Sequence, residues 1–234
     1  MESKRARLDR FISVKTGVSK KNVRVLLAKG QVLVDGEIAR DIDLIIDEFS
    51  HVTLDGQILQ ACQPSYVMLH KPVGVVSATV DDKHKTVIDL LDRDDKHSLH
   101  IVGRLDLNTS GLLLLTNDGR WSKKLMSPQH KVGKVYRVTL QNPIDESYIA
   151  AFANGMYFEY EDITTLPAKF EIVDEHTALV TLMEGRYHQI KRMFGRFRNP
   201  VVGLHRLSVG DIELDPELVV GASRELSYDE IAID

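Results

Sequence analysis

Apolar residues at Leu8, Phe11 and Ile12 recur at helical spacing and Gly17 breaks the pattern, which predicts a short helix near the start of the chain. A second short helix is predicted from Ser19, an N-cap residue type, through the stripe Val23, Leu26 and Leu27 to a stop at Gly30. Val32-Leu33-Val34 and Glu37-Ile38 flank Asp35-Gly36, a strong hairpin signal, and strands at 51–54 and 57–59 complete a small unit over residues 1–60. Residues 61–65, with Pro64, read as a linker.

A second domain is predicted over 66–234. Tyr66-Val67-Met68-Leu69 reads as a buried strand, Pro72 and Gly74 force a turn, and Val75-Val76 resumes the extended pattern. The stretch 81–97 is polar and reads as mobile, with a short helix at 87–91. Strands are predicted at 111–115, 134–140, 168–173 and 178–182, and helices at 121–126, 147–153 and 188–194. Strands interleaved with helices, without regular crossovers or a glycine-rich nucleotide loop, give an α+β class with a mostly antiparallel mixed sheet.

Composition adds exclusions. With 43% hydrophobic and 27% charged residues, the chain reads as an ordinary folded protein. No window approaches the roughly 20 apolar residues of a membrane span, and the basic N-terminus has no apolar run behind it, so no membrane partner or cleaved signal peptide is expected and the location reads as cytoplasmic. The lone Cys62 excludes an intramolecular disulfide and reads as a partly buried hydrophobe. The nine His residues have no zinc-site spacing, so no metal is expected.

The formal net charge of -4 conceals a segregation. Residues 1–30 hold nine basic residues, Lys4 among them, against two acidic ones; residues 181–206 hold six against one; the tail from Leu207 holds one against eight. Two basic clusters in an acidic chain suggest two surfaces that meet phosphate, the alternative being two solvated helix faces. In the first cluster Lys20, Lys21 and Arg24 project together from the outer side of the second helix. Arg7-Leu8-Asp9-Arg10-Phe11, Ser19-Lys20-Lys21, Lys29-Gly30 and Val32-x-Val34-Asp35-Gly36 resemble the alpha-L RNA-binding module, found at one end of many RNA-modifying enzymes. The resemblance implies that Lys20, Lys21 and Arg24 grip RNA.

The segment from Gly103 to Gly119 is a polar loop set before a hydrophobic strand that ends in another turn. Its Asp106 would sit beside the end of a buried strand, where neighbouring donors can aim a carboxylate; an ordinary Asx turn is the alternative. Gly103-Arg104-Leu105-Asp106, Thr109-x-Gly111-Leu112 and Thr116-Asn117-Asp118-Gly119 resemble the catalytic motif of the RsuA type of pseudouridine synthases. Lys71-Pro72-x-Gly74, Lys134-Val135-Tyr136 and the run from Glu184 through Gly185-Arg186-Tyr187-His188-Gln189-Ile190-Lys191-Arg192 to Phe194 agree in order, so the resemblance spans nearly the whole chain.

What the resemblance implies is isomerisation of a uridine within RNA. Asp106 becomes the nucleophile or general base, Lys191 its cationic partner, Tyr136 the aromatic that stacks on uracil and Ile190 the apolar wall opposite. Arg104 would fill the place of the extruded uridine, or else pair locally with Asp118. Arg186 and Arg192 would touch backbone phosphate, with Arg196 and Arg198 open between phosphate and solvent; His188 and Gln189 would be local supports. No cofactor is implied, because the reaction is redox-neutral. The run from Glu184 to Phe194 follows the wording of the small-subunit ribosomal RNA subgroup, so the implied partner is that RNA or a ribosome-assembly particle, met by a monomer. A large-subunit enzyme, a non-catalytic assembly factor and a metal nuclease built on Asp106 and Asp118 are the competing readings.

Overall fold

In the computed structural model, which describes residues 5–232, Gly17 ends the first helix, Leu8–Thr16, at φ 75°. Ser19 opens the second, Lys20–Ala28, by accepting a hydrogen bond from Asn22 N at 3.3 Å. Leu8, Ile12, Val23 and Leu27 meet Val32, Ile46 and Val52 in the core of the first of two units, which divide between Pro64 and Ser65. Lys20, Lys21 and Arg24 lie exposed on the outer side of their helix, whereas Lys4 lies outside the described residues. At the hairpin tip Asp35 (φ 52°) and Gly36 (φ 86°) both take positive φ, as a two-residue turn matched to strand twist requires. A pairing of Ala6–Arg7 with Ile45–Ile46 was not legible, since two-residue strands carry no periodicity.

The second unit is α+β, built on a nine-stranded mixed sheet. Its path runs Lys169–Ile172, Thr177–Leu182, Lys134–Leu140, Val201–Val209, Ser110–Thr116, Tyr66–Lys71, Ser223–Glu225, with Ile212–Glu213 and His100–Val102 paired at the side. Every pairing of these strands is antiparallel except Val201–Val209 against Ser110–Thr116, where Arg206 stands opposite Gly111. At Gly111 (φ 108°) a Cβ would lie 2.2 Å from the Arg206 carbonyl oxygen, so only glycine allows the two strands to meet.

Leu113 and Leu115 face one core and Leu112 and Leu114 the other. That two-sided burial is why the strand reads as a continuous leucine run instead of an alternation. On the first face the helices Ser147–Asn154 and Gln189–Gly195 are locked to the sheet by aromatic contacts, with Phe152 4.8 Å from Phe170 and 5.0 Å from Phe194 between ring centres.

Several expectations change. Residues 81–97 carry defined local structure: Asp81 accepts from Lys83 N and His84 N, Asp89 accepts from Thr86 N, and Val87, Ile88 and Leu91 are buried around a 3-10 turn, Ile88–Leu90, in place of the predicted helix. Cys62 is exposed. The nine-residue strand Val201–Val209 was missed because Gly203, His205 and Arg206 interrupt its apolar run. Ser65 belongs to the body of the sheet unit, its N–H bonded to Asn117 Oδ1 at 2.9 Å and its carbonyl to Thr116 Oγ1 at 2.6 Å.

Candidate active site

A cleft of about 690 Å³ opens over the centre of the sheet, between the loop that precedes Ser110–Thr116 and the helix Gln189–Gly195. Asp106 lies in that loop, whose backbone is pinned on every side. Thr109 N donates to the Asp106 carbonyl at 3.0 Å, Gly74 N to the Leu107 carbonyl at 2.8 Å, and the Ser77 hydroxyl both donates to Leu105 O at 2.7 Å and accepts from Leu105 N at 3.1 Å. Lys71, fully buried, donates to the carbonyls of Pro72, Asp106 and Thr109 at 2.9, 3.1 and 2.8 Å.

The Asp106 carboxylate is half-buried in the cleft, and two side chains of cationic type meet the same oxygen. Lys191 Nζ and His188 Nε2 each stand 3.4 Å from Oδ2. Lys191 arrives from the helix Gln189–Gly195, whose seat is fixed by buried Ile190, Met193 and Phe194. His188 precedes that helix at φ 48°, a left-handed conformation that turns its ring to the carboxylate, and it stacks on Tyr187 at 3.9 Å.

Tyr136 and Ile190 line the cleft and are buried, forming an aromatic and an apolar surface near the carboxylate. Arg104 and Arg186 line it too, Arg186 held by Glu184 at 2.9 Å. Gln189 stitches the same turn, donating to Glu184 Oε1 and accepting from Arg186 N. Asp106, Lys191, Tyr136, Ile190, Arg104 and Arg186 are therefore brought together across a long stretch of sequence.

Other residues are not. Arg192 lies outside the cleft, paired bidentately with Glu161 and resting over the Phe158 ring at 3.8 Å, so its charge is already matched within the protein. Arg196 donates to the Tyr157 carbonyl. Arg206, counted in the basic cluster, reaches the floor of the cleft but is buried and donates from Nε to Leu112 O at 2.8 Å, tying two strands instead of meeting solvent. Asp118 caps the helix Gly119–Met126, accepting from Arg120 N and Trp121 N, and takes the Tyr66 hydroxyl at 2.9 Å. Asp118 is thereby committed to these three donors and does not pair with Arg104.

Basic side chains, Lys71, Lys134 and Arg206, lie at or beneath the floor of the cleft. Burial pushes the Lys71 ammonium down to about 8, with Asp106 opposing and Arg206 reinforcing the shift. Burial, then the Arg206 charge, also lowers Lys134, which lines the cleft. Lys71, Ser77, Arg206 and the His188 contact were missed as parts of the site; for Lys71 the Lys-Pro-x-Gly run was the available signal, but a buried lysine looks the same in sequence as an exposed one.

Residues 65–195 match the family described as RNA pseudouridylate synthase. The chain is 51% identical over 226 residues to the ribosomal small subunit pseudouridine synthase A of Pseudomonas aeruginosa, covering 96% of this chain and 98% of that one. It is 42% identical over 227 residues to the protein of the same name from Escherichia coli K12, covering 97% and 98%. Among solved structures, a pseudouridylate synthase crystal structure superposes with a TM-score of 0.70 at 39% identity, over 96% of this chain and 97% of that one.

Proposed function

Because the chain belongs to the RNA pseudouridylate synthase family, its activity is the isomerisation of uridine in RNA, and we propose that its substrate is small-subunit ribosomal RNA, met in the cytoplasm during ribosome assembly. The names of relatives at 51% and 42% identity favour the small-subunit reading over a large-subunit one. The carboxylate, ammonium and aromatic gathered in one cleft argue against a lapsed, merely RNA-holding protein.

The reaction breaks the N1–C1′ bond, turns the freed base and forms a C5–C1′ bond; C5 loses its hydrogen as a proton and N1 gains one. Asp106 is the reacting group. Attack on the base, attack on the sugar and removal of a sugar proton all require it ionised beside an anionic substrate, and Lys191 places an ammonium 3.4 Å from it. That single pairing carries the proposal. Lys191 Nζ and His188 Nε2 both meet Oδ2, which leaves Oδ1 for the nucleoside.

The uridine must leave its helix to reach the cleft. Tyr136 then offers a flat face on which uracil can turn, because stacking lacks the directionality of a hydrogen bond, and Ile190 closes the other side. Arg104, exposed at the rim, fills the place vacated in the RNA stack, and Arg186 meets phosphate. The first unit acts as the alpha-L module, gripping a structured region of RNA through Lys20, Lys21 and Arg24, and the enzyme works as a monomer without metal or cofactor. Mapping pseudouridines in ribosomal RNA from cells with and without this chain tests the substrate. One small-subunit site should vanish on deletion; loss confined to large-subunit RNA rejects the proposal.

A further inference from the structure

We propose that Tyr187 and His188 form a stacking subsite for a nucleotide next to the target uridine, in which the open face of the Tyr187 ring takes a flanking nucleobase of the RNA. The inference deepens the proposed function and rests on its reading of the cleft as the site of an RNA substrate.

Tyr187 leaves an aromatic ring in water. Among the described residues the most exposed tyrosines are Tyr160, Tyr228 and Tyr187, at 97, 88 and 74%, and of these three Tyr187 alone lines the cleft. Its ring stacks on His188, with centres 3.9 Å apart and planes inclined by 20°. One face is thereby covered by the imidazole and the opposite face stays open. A second flat surface thus stands in the same cleft as the buried ring of Tyr136.

The ring is carried on a stiff support. Glu184 accepts from Gln189 Nε2 at 2.8 Å and from Arg186 Nε at 2.9 Å, Gln189 Oε1 accepts from Arg186 N at 3.1 Å, and Gln189 N donates to the Arg186 carbonyl at 3.2 Å. Because these bonds already close the loop on the N-terminal side of Tyr187, docking a base there requires little further ordering. The left-handed φ of 48° at His188 accompanies an imidazole nearly parallel to the phenol ring whose Nε2 stands 3.4 Å from Asp106 Oδ2. The open face of Tyr187 therefore lies one ring beyond the imidazole that touches the reacting carboxylate, close enough for a nucleotide that adjoins the uridine.

The surroundings select the class of ligand. Arg186 and Arg104 line the same cleft, which suits a phosphate-bearing strand and disfavours a basic peptide. Extruding the uridine breaks its stacking on both neighbours, so a flanking base drawn out with it gains a new aromatic face at Tyr187. Stacking of this kind accepts any base, since every base has a π face.

The test uses the full chain and a synthetic fragment of small-subunit ribosomal RNA that carries the mapped uridine labelled with tritium at C5, intact or with an abasic nucleotide on its 5′ or its 3′ side. Tyr187→Leu should lose about 10-fold in kcat/KM on the intact fragment, the worth of one base stacked on an aromatic ring, and Tyr187→Phe, which keeps the ring, should recover most of that loss. One of the two abasic fragments should cost the unsubstituted enzyme a similar factor and cost Tyr187→Leu almost nothing further, because ring and base are the two halves of one contact. A ring that only shields the imidazole and the carboxylate would give additive losses, with the abasic penalty persisting in full in Tyr187→Leu. That result overturns the proposal, as does native kcat/KM in Tyr187→Leu, or native kcat/KM of the unsubstituted enzyme on both abasic fragments. No tritium release from the intact fragment by the unsubstituted enzyme would overturn the functional reading and the subsite with it, whereas release combined with additive losses overturns the subsite alone.

Discussion

Lys191 Nζ stands 3.4 Å from Asp106 Oδ2, joining a helix on one side of the cleft to a loop on the other across 85 positions of sequence. Removing the charge while keeping much of the side chain's bulk, as in Lys191→Met, should lower kcat about 10- to 100-fold, the worth of a charge-assisted hydrogen bond. RNA affinity should change little. Lys191→Arg should retain more activity than Lys191→Met, since charge is kept although geometry is not. Single-turnover kinetics alongside RNA-binding titrations check both points, and equal rates for the two variants would show that charge at this position does not matter.

Gly111 is where the sheet tolerates no side chain. Gly111→Ala places a Cβ on the backbone of Arg206 at a φ of 108° and should cost about 3 kcal/mol or more in urea denaturation. A loss under about 1 kcal/mol would mean that the parallel pairing yields easily.

The N-terminal patch has an ionic-strength signature. Replacing Lys20, Lys21 and Arg24 together with Ala should weaken RNA binding and make the plot of log affinity against log salt shallower by about 0.7 to 0.9 for each phosphate that the protein no longer neutralises. An unaltered slope would return the patch to an ordinary solvated helix face.

Arg224 links the C-terminal segment to the sheet unit through Asp215 at 2.7 Å and Glu230 at 2.8 Å. The hydrogen bond from Arg224, opposed by desolvation, lowers Glu230 from 4.5 to about 2. A depressed carboxylate stabilises the fold above its unfolded value, so this contribution is complete above pH 4.5 and is lost as the pH falls towards 2. The lone tryptophan, Trp121, donates to the Ile231 carbonyl at 3.0 Å and reports on this segment by fluorescence. Arg224→Gln should remove the acid transition in that window; an unchanged transition would place its origin elsewhere.

How much was legible in the sequence follows from which signals are local. The Asp-Gly hairpin, the Ser19 cap and the leucine strand around Leu113 depend on neighbouring residues and were readable. Lys191 and Tyr136 were reached through resemblance, because nothing local in a Lys or a Tyr tells which cleft it will face. Arg206 marks the limit. Its charge suggested a surface, yet its side chain satisfies backbone carbonyls between strands, a role set by the distant residues Leu112 and Gly103. The same long-range pairing hid the strand Val201–Val209, and the pairing of Arg192 with Glu161, 31 positions away, was equally out of reach of a local reading.

The central claim is that one ionised carboxylate performs the isomerisation, and Asp106→Asn tests it most directly because the substitution removes the charge and leaves the shape. Tritium release from C5-labelled uridine should fall to background while RNA affinity stays within about twofold of the unsubstituted enzyme. Continued release at a substantial fraction of the native rate would contradict the account.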